Sequence, residues 1–174
     1  MIDIPKCKRI SIIGVPASGK STLAQKLGQK LNLPVYHLDC LAMLPNWVET
    51  DKAVFLKQVK AITESDTWIT DGNWTATIED RFKRSDVIIF LNYSREFCIE
   101  SYKNSRKNNQ KRVGVPDYLD EAEDKIDYDS WPEFHNKYPR IVSLVEEYKD
   151  KVIEFDSREK LDEFLVCVSK ETLS

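Results

Sequence analysis

The chain has 174 residues, 32% of them charged, and a formal net charge of −3. That is the length of one domain with a full core, residues 1–174, and its acidic balance argues against a general nucleic-acid binder. No apolar stretch approaches membrane-spanning length, residues 1–9 hold no signal-peptide core, and four cysteines without C-x-x-C spacing beside two histidines define neither a zinc site nor a disulfide framework. Free thiols in a reducing cytoplasm, in a monomer or homodimer, are the expectation.

The first predicted strand is the β-branched run Arg9–Ile13. It leads into Gly14-Val15-Pro16-Ala17-Ser18-Gly19-Lys20-Ser21-Thr22, which fits the phosphate-cradling pattern G-x-x-x-x-G-K-[ST] at every constrained position. A helix carrying Leu23, Leu27 and Leu31 leaves the loop. Glycines at 14 and 19 allow successive backbone N–H groups to curl around an anion, and the helix start adds its unpaired amides and positive dipole end. Lys20 is then expected on the β/γ-phosphates and the Ser21 hydroxyl on Mg²⁺, with ATP and Mg²⁺ as cofactors and 14 and 16–22 as the nucleotide cradle.

Asn32-Leu33-Pro34 stops that helix, and Val35–Leu38 reads as a short buried strand ending at Asp39. Pro45-Asn46 marks a loop before Trp47. Asp51 or Thr50 can cap a helix with Val54, Phe55, Val59 and Ile62 on one face. Trp68–Thr70 is a third strand closed by Asp71-Gly72, and a short helix follows around Ile78–Phe82. Val87–Leu91 is an unbroken apolar run, as expected of a parallel strand covered on both faces. Ser94 caps a helix to about Arg106, a polar stretch runs from Asn108 to Ser130, and Ile141, Leu144, Val145 and Tyr148 mark another helix. Val152–Phe155 is the last strand, and Ser157 caps a closing helix with Leu161, Phe164, Leu165 and Val168. Alternating strands and helices imply an α/β fold, a three-layer doubly wound parallel sheet with ligands at the carboxyl ends of its strands.

There is no N-K-x-D guanine reader and no D-x-x-G switch, and the strongest apolar strand ends in Asn92 rather than an acid. The acids close two other strands, at Asp39 and Asp71. Beside a phosphate loop, that pair suits a small-molecule kinase, one acid helping to hold hydrated Mg²⁺ and the other meeting the phosphate acceptor. Asp39 reads as an acceptor-binding group or general base, or else as the cap of the next turn. Asp71 reads as a metal-side carboxylate, or as the first residue of an Asp-Gly turn. His37, in a buried strand, is an acceptor contact or a hydrogen-bonded structural residue; Trp47 and Trp74 wall an acceptor pocket or belong to core and rim.

Lys103, Arg106, Lys107, Lys111 and Arg112 form a basic run without an acid, followed by seven acids from Asp117 to Asp129. The run is a solvated face or the start of a lid, about 106–130, from which Arg106 and Arg112 would reach the phosphates.

These stretches resemble the adenylate-kinase-like P-loop kinases, and most closely the proteins known as DNA topology modulation (FlaR-related) proteins, from Arg9 to about Val168. The resemblance rests on the phosphate loop, His37-Leu38-Asp39-x-Leu41, Pro45-x-Trp47, Trp68-Ile69-x-Asp71-Gly72-Asn73-Trp74, and Arg81 with Asp86-Val87-Ile88. It implies a five-stranded sheet of order 2-3-1-4-5, a mobile basic lid, Arg81 on the acceptor side, and transfer of the ATP γ-phosphate to a small hydroxyl- or phosphate-bearing acceptor. A nucleotide-dependent regulator of DNA topology, with no metabolic acceptor, is the alternative it implies. Tyr36-x-x-Asp39 is also similar to the second strand of shikimate and gluconate kinases, whose closing Asp touches the acceptor hydroxyl. Asn73-Trp74-Thr75 stands where nucleoside monophosphate kinases carry Phe-Pro-Arg, so the arginine that grips a nucleotide phosphate there is missing from this position. Ser101 stands where relatives carry an arginine, which leaves that part of the phosphate clamp either reduced or supplied by Lys103.

Overall fold

A computed structural model describes residues 2–108, 111, 114, 116 and 138–171. In chain order the elements are β1 (Arg9–Gly14), α1 (Lys20–Leu31), β2 (Val35–His37), α2 (Leu38–Ala42), β3 (Met43–Leu44), β4 (Val48–Glu49), α3 (Lys52–Glu64) and β5 (Trp68–Asp71). Then come α4 (Thr75–Arg84), β6 (Val87–Leu91), α5 (Arg95–Lys107), α6 (Tyr138–Glu147), β7 (Val152–Phe155) and α7 (Arg158–Glu171).

Five strands form one parallel sheet in the order β2-β5-β1-β6-β7. Numbered along the chain within this sheet alone, that order is 2-3-1-4-5. The strands are apolar throughout because both faces are covered. On β6 the side chains of Val87, Ile89 and Leu91 join α1 and α7 in one cluster, while Ile88 and Phe90 join α4 and α6 in another. Period-two alternation thus splits one apolar run between the two outer layers.

The predicted caps form. Asp51 Oδ1 accepts from the amides of Ala53 and Val54, at 2.9 and 3.1 Å. Ser94 Oγ accepts from Phe97 N, and Ser157 Oγ from Lys160 N. Each satisfies an amide that has no carbonyl partner inside its own helix.

Three local differences from the sequence reading matter for the site. β2 stops at His37 and the chain turns at once into α2, because Leu38 buries itself against Ala42, Phe55 and Val59. Asp39 therefore sits in a helical first turn rather than at a strand tip. β5 runs on to Asp71, since Asp71 pairs in register with Ile12 on one side and His37 on the other. The stretch expected to be a loop around Pro45 is a small antiparallel hairpin, β3–β4, turned by Asn46 at φ 63°, a left-handed conformation that Asn tolerates.

Among the described residues no helix is long and apolar enough to cross a membrane. Cys7 and Cys98 are buried free thiols, each pushed up to about 11 chiefly by burial, a protonation state that keeps a thiol unreactive.

Candidate functional site at the carboxyl edge of the sheet

The phosphate loop joins β1 to α1 as the sequence motif requires. Gly14 has φ 152° and Gly19 φ 90°, both in the region that L side chains rarely enter. A Cβ on Gly14 would stand 2.4 Å from the Leu91 carbonyl oxygen, so β1 approaches β6 more closely than any side chain permits. Ala17, at φ 59°, carries the same left-handed turn without glycine's freedom, the kind of local strain that surrounding structure must hold in place. Ser18 is fully buried, and its hydroxyl has no hydrogen-bond partner among the described residues. A buried hydroxyl without a partner inside such a loop is a donor that an anion could satisfy. The Lys20 ammonium donates to the carbonyls of Gly14 and Val15, at 3.2 and 3.1 Å. Pro16 and Thr22 complete the loop and the first helical turn.

Asn73 ties the loop to the next strand end. Its side-chain amide donates to the Gly14 carbonyl at 2.6 Å and accepts from the Gly14 N–H at 3.2 Å. One side chain thereby satisfies both backbone groups of the loop's first glycine. Arg158, at the start of α7, lies against the far side of the loop, its guanidinium 3.3 Å from where a Cβ on Gly19 would be.

The two acids lie beside this loop, in different settings. Asp71 is 5% exposed, and its two carboxylate oxygens are divided between partners. Oδ2 accepts from the Ser21 hydroxyl at 2.7 Å, and Oδ1 meets His37 Nδ1 at 2.6 Å. Ser21 and Asp71, the pair expected on the metal side, are thus brought into direct contact. Asp39 is half-buried, and its Oδ1 accepts from the Trp74 indole N–H at 2.9 Å. Trp74 in turn leans on Phe55, with ring centroids 5.1 Å apart, so α3 fixes the ring that fixes the carboxylate.

Other expected site residues are placed differently. His37 has both ring nitrogens engaged, Nδ1 by Asp71 and Nε2 by Gln25 at 2.9 Å, and so offers an acceptor no free nitrogen. Arg81 is fully buried and donates to the Gly72 carbonyl at 2.9 Å. Burial pulls its guanidinium down to about 10, opposed by the Asp71 charge, which leaves it a cation at neutral pH. It braces the Asp71-Gly72 strand end from beneath rather than lining an open surface.

The backbone of Trp47 lies in the hairpin turn and that of Arg106 in α5, but their side chains lie outside the described residues, as do Arg112, most of the lid stretch 106–130 and its acids. Asn92, which stands where a motor protein would carry an acid, links β6 to its neighbours instead. It donates to Glu154 and accepts from the Tyr138 hydroxyl.

Gln25, Asn73 as a clamp on the loop, and Arg158 are site neighbours that pattern reading missed. Gln25 had one signal: four residues after Ser21 on α1, it shares that residue's helix face. The other two depend on contacts between distant segments.

No family model and no curated protein matches this sequence. Its structure is similar to that of a shikimate kinase from Bacteroides thetaiotaomicron, at 15% identity and TM-score 0.54 over 97% of this chain and 99% of that one. It is also similar to a shikimate kinase from Acinetobacter baumannii solved in complex with shikimate, at 14% identity and TM-score 0.52 over 98% of each chain. The chain therefore has the shikimate-kinase type of P-loop fold.

Proposed function

We propose that this chain is an ATP- and Mg²⁺-dependent kinase that transfers the γ-phosphoryl group to a hydroxyl of a small acceptor. The observation that carries the reading is the convergence of three groups at one sheet edge. A glycine loop with positive φ at both ends, a Ser21–Asp71 contact of 2.7 Å, and a second carboxylate, Asp39, held by Trp74, lie around the ends of β1, β2 and β5. A loop that only bound an anion would need the first of these and neither acid.

The donor set suits the nucleotide and its metal. Gly14, Pro16, Ala17, Ser18, Gly19 and Thr22 would cradle the phosphates by backbone amides and hydroxyls, and Lys20 would exchange its two loop carbonyls for phosphate oxygens. Ser21 and Asp71 would hold Mg²⁺, directly and through water, and the ion supplies charge neutralisation on the transferring phosphoryl group. Asp39 orients the acceptor O–H and takes its proton as the new O–P bond forms and ADP departs. Arg106 and Arg112 belong in this reading as lid cations over the γ-phosphate, and Trp47 and Trp74 as acceptor walls. Positioning and electrostatics then do most of the catalysis.

The acceptor is sought among small hydroxyl-bearing metabolites, of which the shikimate named for one structural neighbour is a first member to try. A thermal-shift screen with ADP and Mg²⁺ detects it, since a ligand raises apparent stability by mass action. A hit should support ATP consumption in a coupled assay. Failure of ATP, with or without Mg²⁺, to raise the melting temperature would remove the kinase reading.

On the motifs given above we also infer kinship with the topology modulation proteins. DNA binding measured over a salt series separates the two roles. Sub-micromolar affinity that falls steeply with salt favours a regulator, and no binding with metabolite-dependent ATP turnover favours the enzyme.

A further inference from the structure

We infer that His37, held by Gln25, is a positioning residue that sets the Asp71 carboxylate in the orientation its metal-side role requires. The inference rests on the kinase reading for what Asp71 does, and on geometry alone for what His37 does.

The register of two parallel strands makes the pair. His37 and Asp71 are the last residues of β2 and β5 and lie directly across from each other. The imidazole Nδ1 is 2.6 Å from Asp71 Oδ1, and both residues are under 9% exposed. An ionised carboxylate can only accept, so the proton lies on Nδ1. The Gln25 side-chain amide nitrogen stands 2.9 Å from Nε2 and donates to it, which requires that Nε2 be bare. Gln25 therefore selects the neutral Nδ1–H tautomer, the one free histidine disfavours in water. One Asp71 oxygen is thereby tied down.

A third contact locks the ring. Gly114, at φ 73°, packs its backbone on the imidazole and on Gln25. A Cβ there would fall 2.3 Å from His37 Nε2 and 2.4 Å from Gln25 Nε2. A side chain at position 114 would press on both residues of the pair. The chain Gln25–His37–Asp71–Ser21 thus starts and ends on α1, passing through β2 and β5 to the hydroxyl beside Lys20. Without the Nδ1–H donor the carboxylate plane could turn, with Ser21 alone to hold it. Partners that orient a metal-side ligand in this way typically change metal affinity by about 10–100-fold when removed. Arg81 beneath Gly72 supplies fixed charge near Asp71 but no hydrogen bond to it.

The test reads the ring directly. The chain has two histidines, so replacing His135 leaves one imidazole in a nitrogen-15 NMR spectrum. His37 should appear with its proton on Nδ1, as its contact with the Asp71 carboxylate requires. An Nε2–H ring in the otherwise unaltered protein, which leaves Nδ1 no proton to donate to Asp71, would overturn the inference, whatever the protein's activity.

Calorimetry of ADP binding with and without Mg²⁺ reads the consequence. His37→Leu should lose about tenfold or more of the Mg²⁺-dependent gain in affinity while Mg²⁺-free binding is retained. His37→Asn, which offers an amide N–H in place of Nδ1–H, should stay within about threefold. A full Mg²⁺-dependent gain in His37→Leu would also overturn the inference. If ADP does not bind the unaltered protein at all, the kinase reading falls and takes the metal-side role of Asp71 with it.

Discussion

In the kinase reading proposed above, the donor half and the acceptor half of the site are built in opposite ways. The donor half is contiguous, Arg9 to Leu31, and works mostly through backbone: glycine dihedrals, helix-start amides, and a lysine resting on two loop carbonyls. The acceptor half is gathered from α2, α3 and the exit of β5, and works through side chains that hold one another, Asp39 by Trp74 and Trp74 by Phe55. Asp71, between His37 and Ser21, adds a side chain to the donor half. A backbone cradle recognises phosphate whatever is attached to it. Side-chain assemblies can be exchanged residue by residue, which is where selectivity among acceptors has to lie. Asn73 is the bolt between the halves, being part of the β5 exit and bonded to the first glycine of the loop.

Five changes test this division, the most damaging first. Lys20→Ala should remove transfer by about 10³-fold or more, since a preorganised cation on the reacting phosphates is lost; a coupled assay at saturating ATP measures it. Asp39→Asn should cost about 10²–10⁴-fold in kcat yet leave ADP affinity unchanged. Retention of full transfer would take Asp39 out of the mechanism and leave the acceptor half without a base.

Asn73→Ala should affect both halves. Leaving the Gly14 amide without its side-chain partner, and its carbonyl to Lys20 alone, costs about 1–3 kcal/mol, visible as a lower melting temperature and, unlike Asp39→Asn, weaker ADP binding. Trp74→Phe keeps the ring contact with Phe55 and removes only the donor to Asp39. About 1 kcal/mol, or roughly fivefold in kcat/KM for the acceptor, is expected, with ADP affinity again untouched.

The smallest effect lies outside both halves, at Asp86. Burial raises its carboxyl, but hydrogen bonds from Arg9 and from the amides of Lys8 and Arg9 outweigh that and hold it below the usual range. Its stabilisation is therefore complete above the ordinary carboxylate pKa and fades as pH falls through the depressed native one. Asp86→Asn should lower stability at pH 7 by about 1 kcal/mol, given that the Arg9 end of the pair is solvent-exposed. That loss should shrink in urea melts at acid pH, with turnover per folded molecule unchanged.

Legibility followed the same division. The loop and the caps at Asp51, Ser94 and Ser157 could be read because each depends on residues close in sequence, whereas the strand order was implied only by the resemblance to a known family. The Asp51 cap needs only amides two and three residues on, and the split of Val87–Leu91 between two layers needs only the strand period. The acids were visible as residue types, but their surroundings were not. Nothing local to His37 says that a ring nitrogen will meet Asp71, 34 residues away, or that Arg81 will be sealed under Gly72. The hairpin at Pro45–Trp47 was also hidden, because two-residue strands carry no period to detect.

What the sequence determined by itself is the phosphate loop and the parallel α/β frame around it, because glycine positions and apolar periodicity act over one to a few turns. What the tertiary structure alone decided is which side chains face one another at the sheet edge. Parallel strands are paired across long connections, so the register that sets His37 against Asp71 and the packing that turns Trp74 onto Asp39 come from the assembled core.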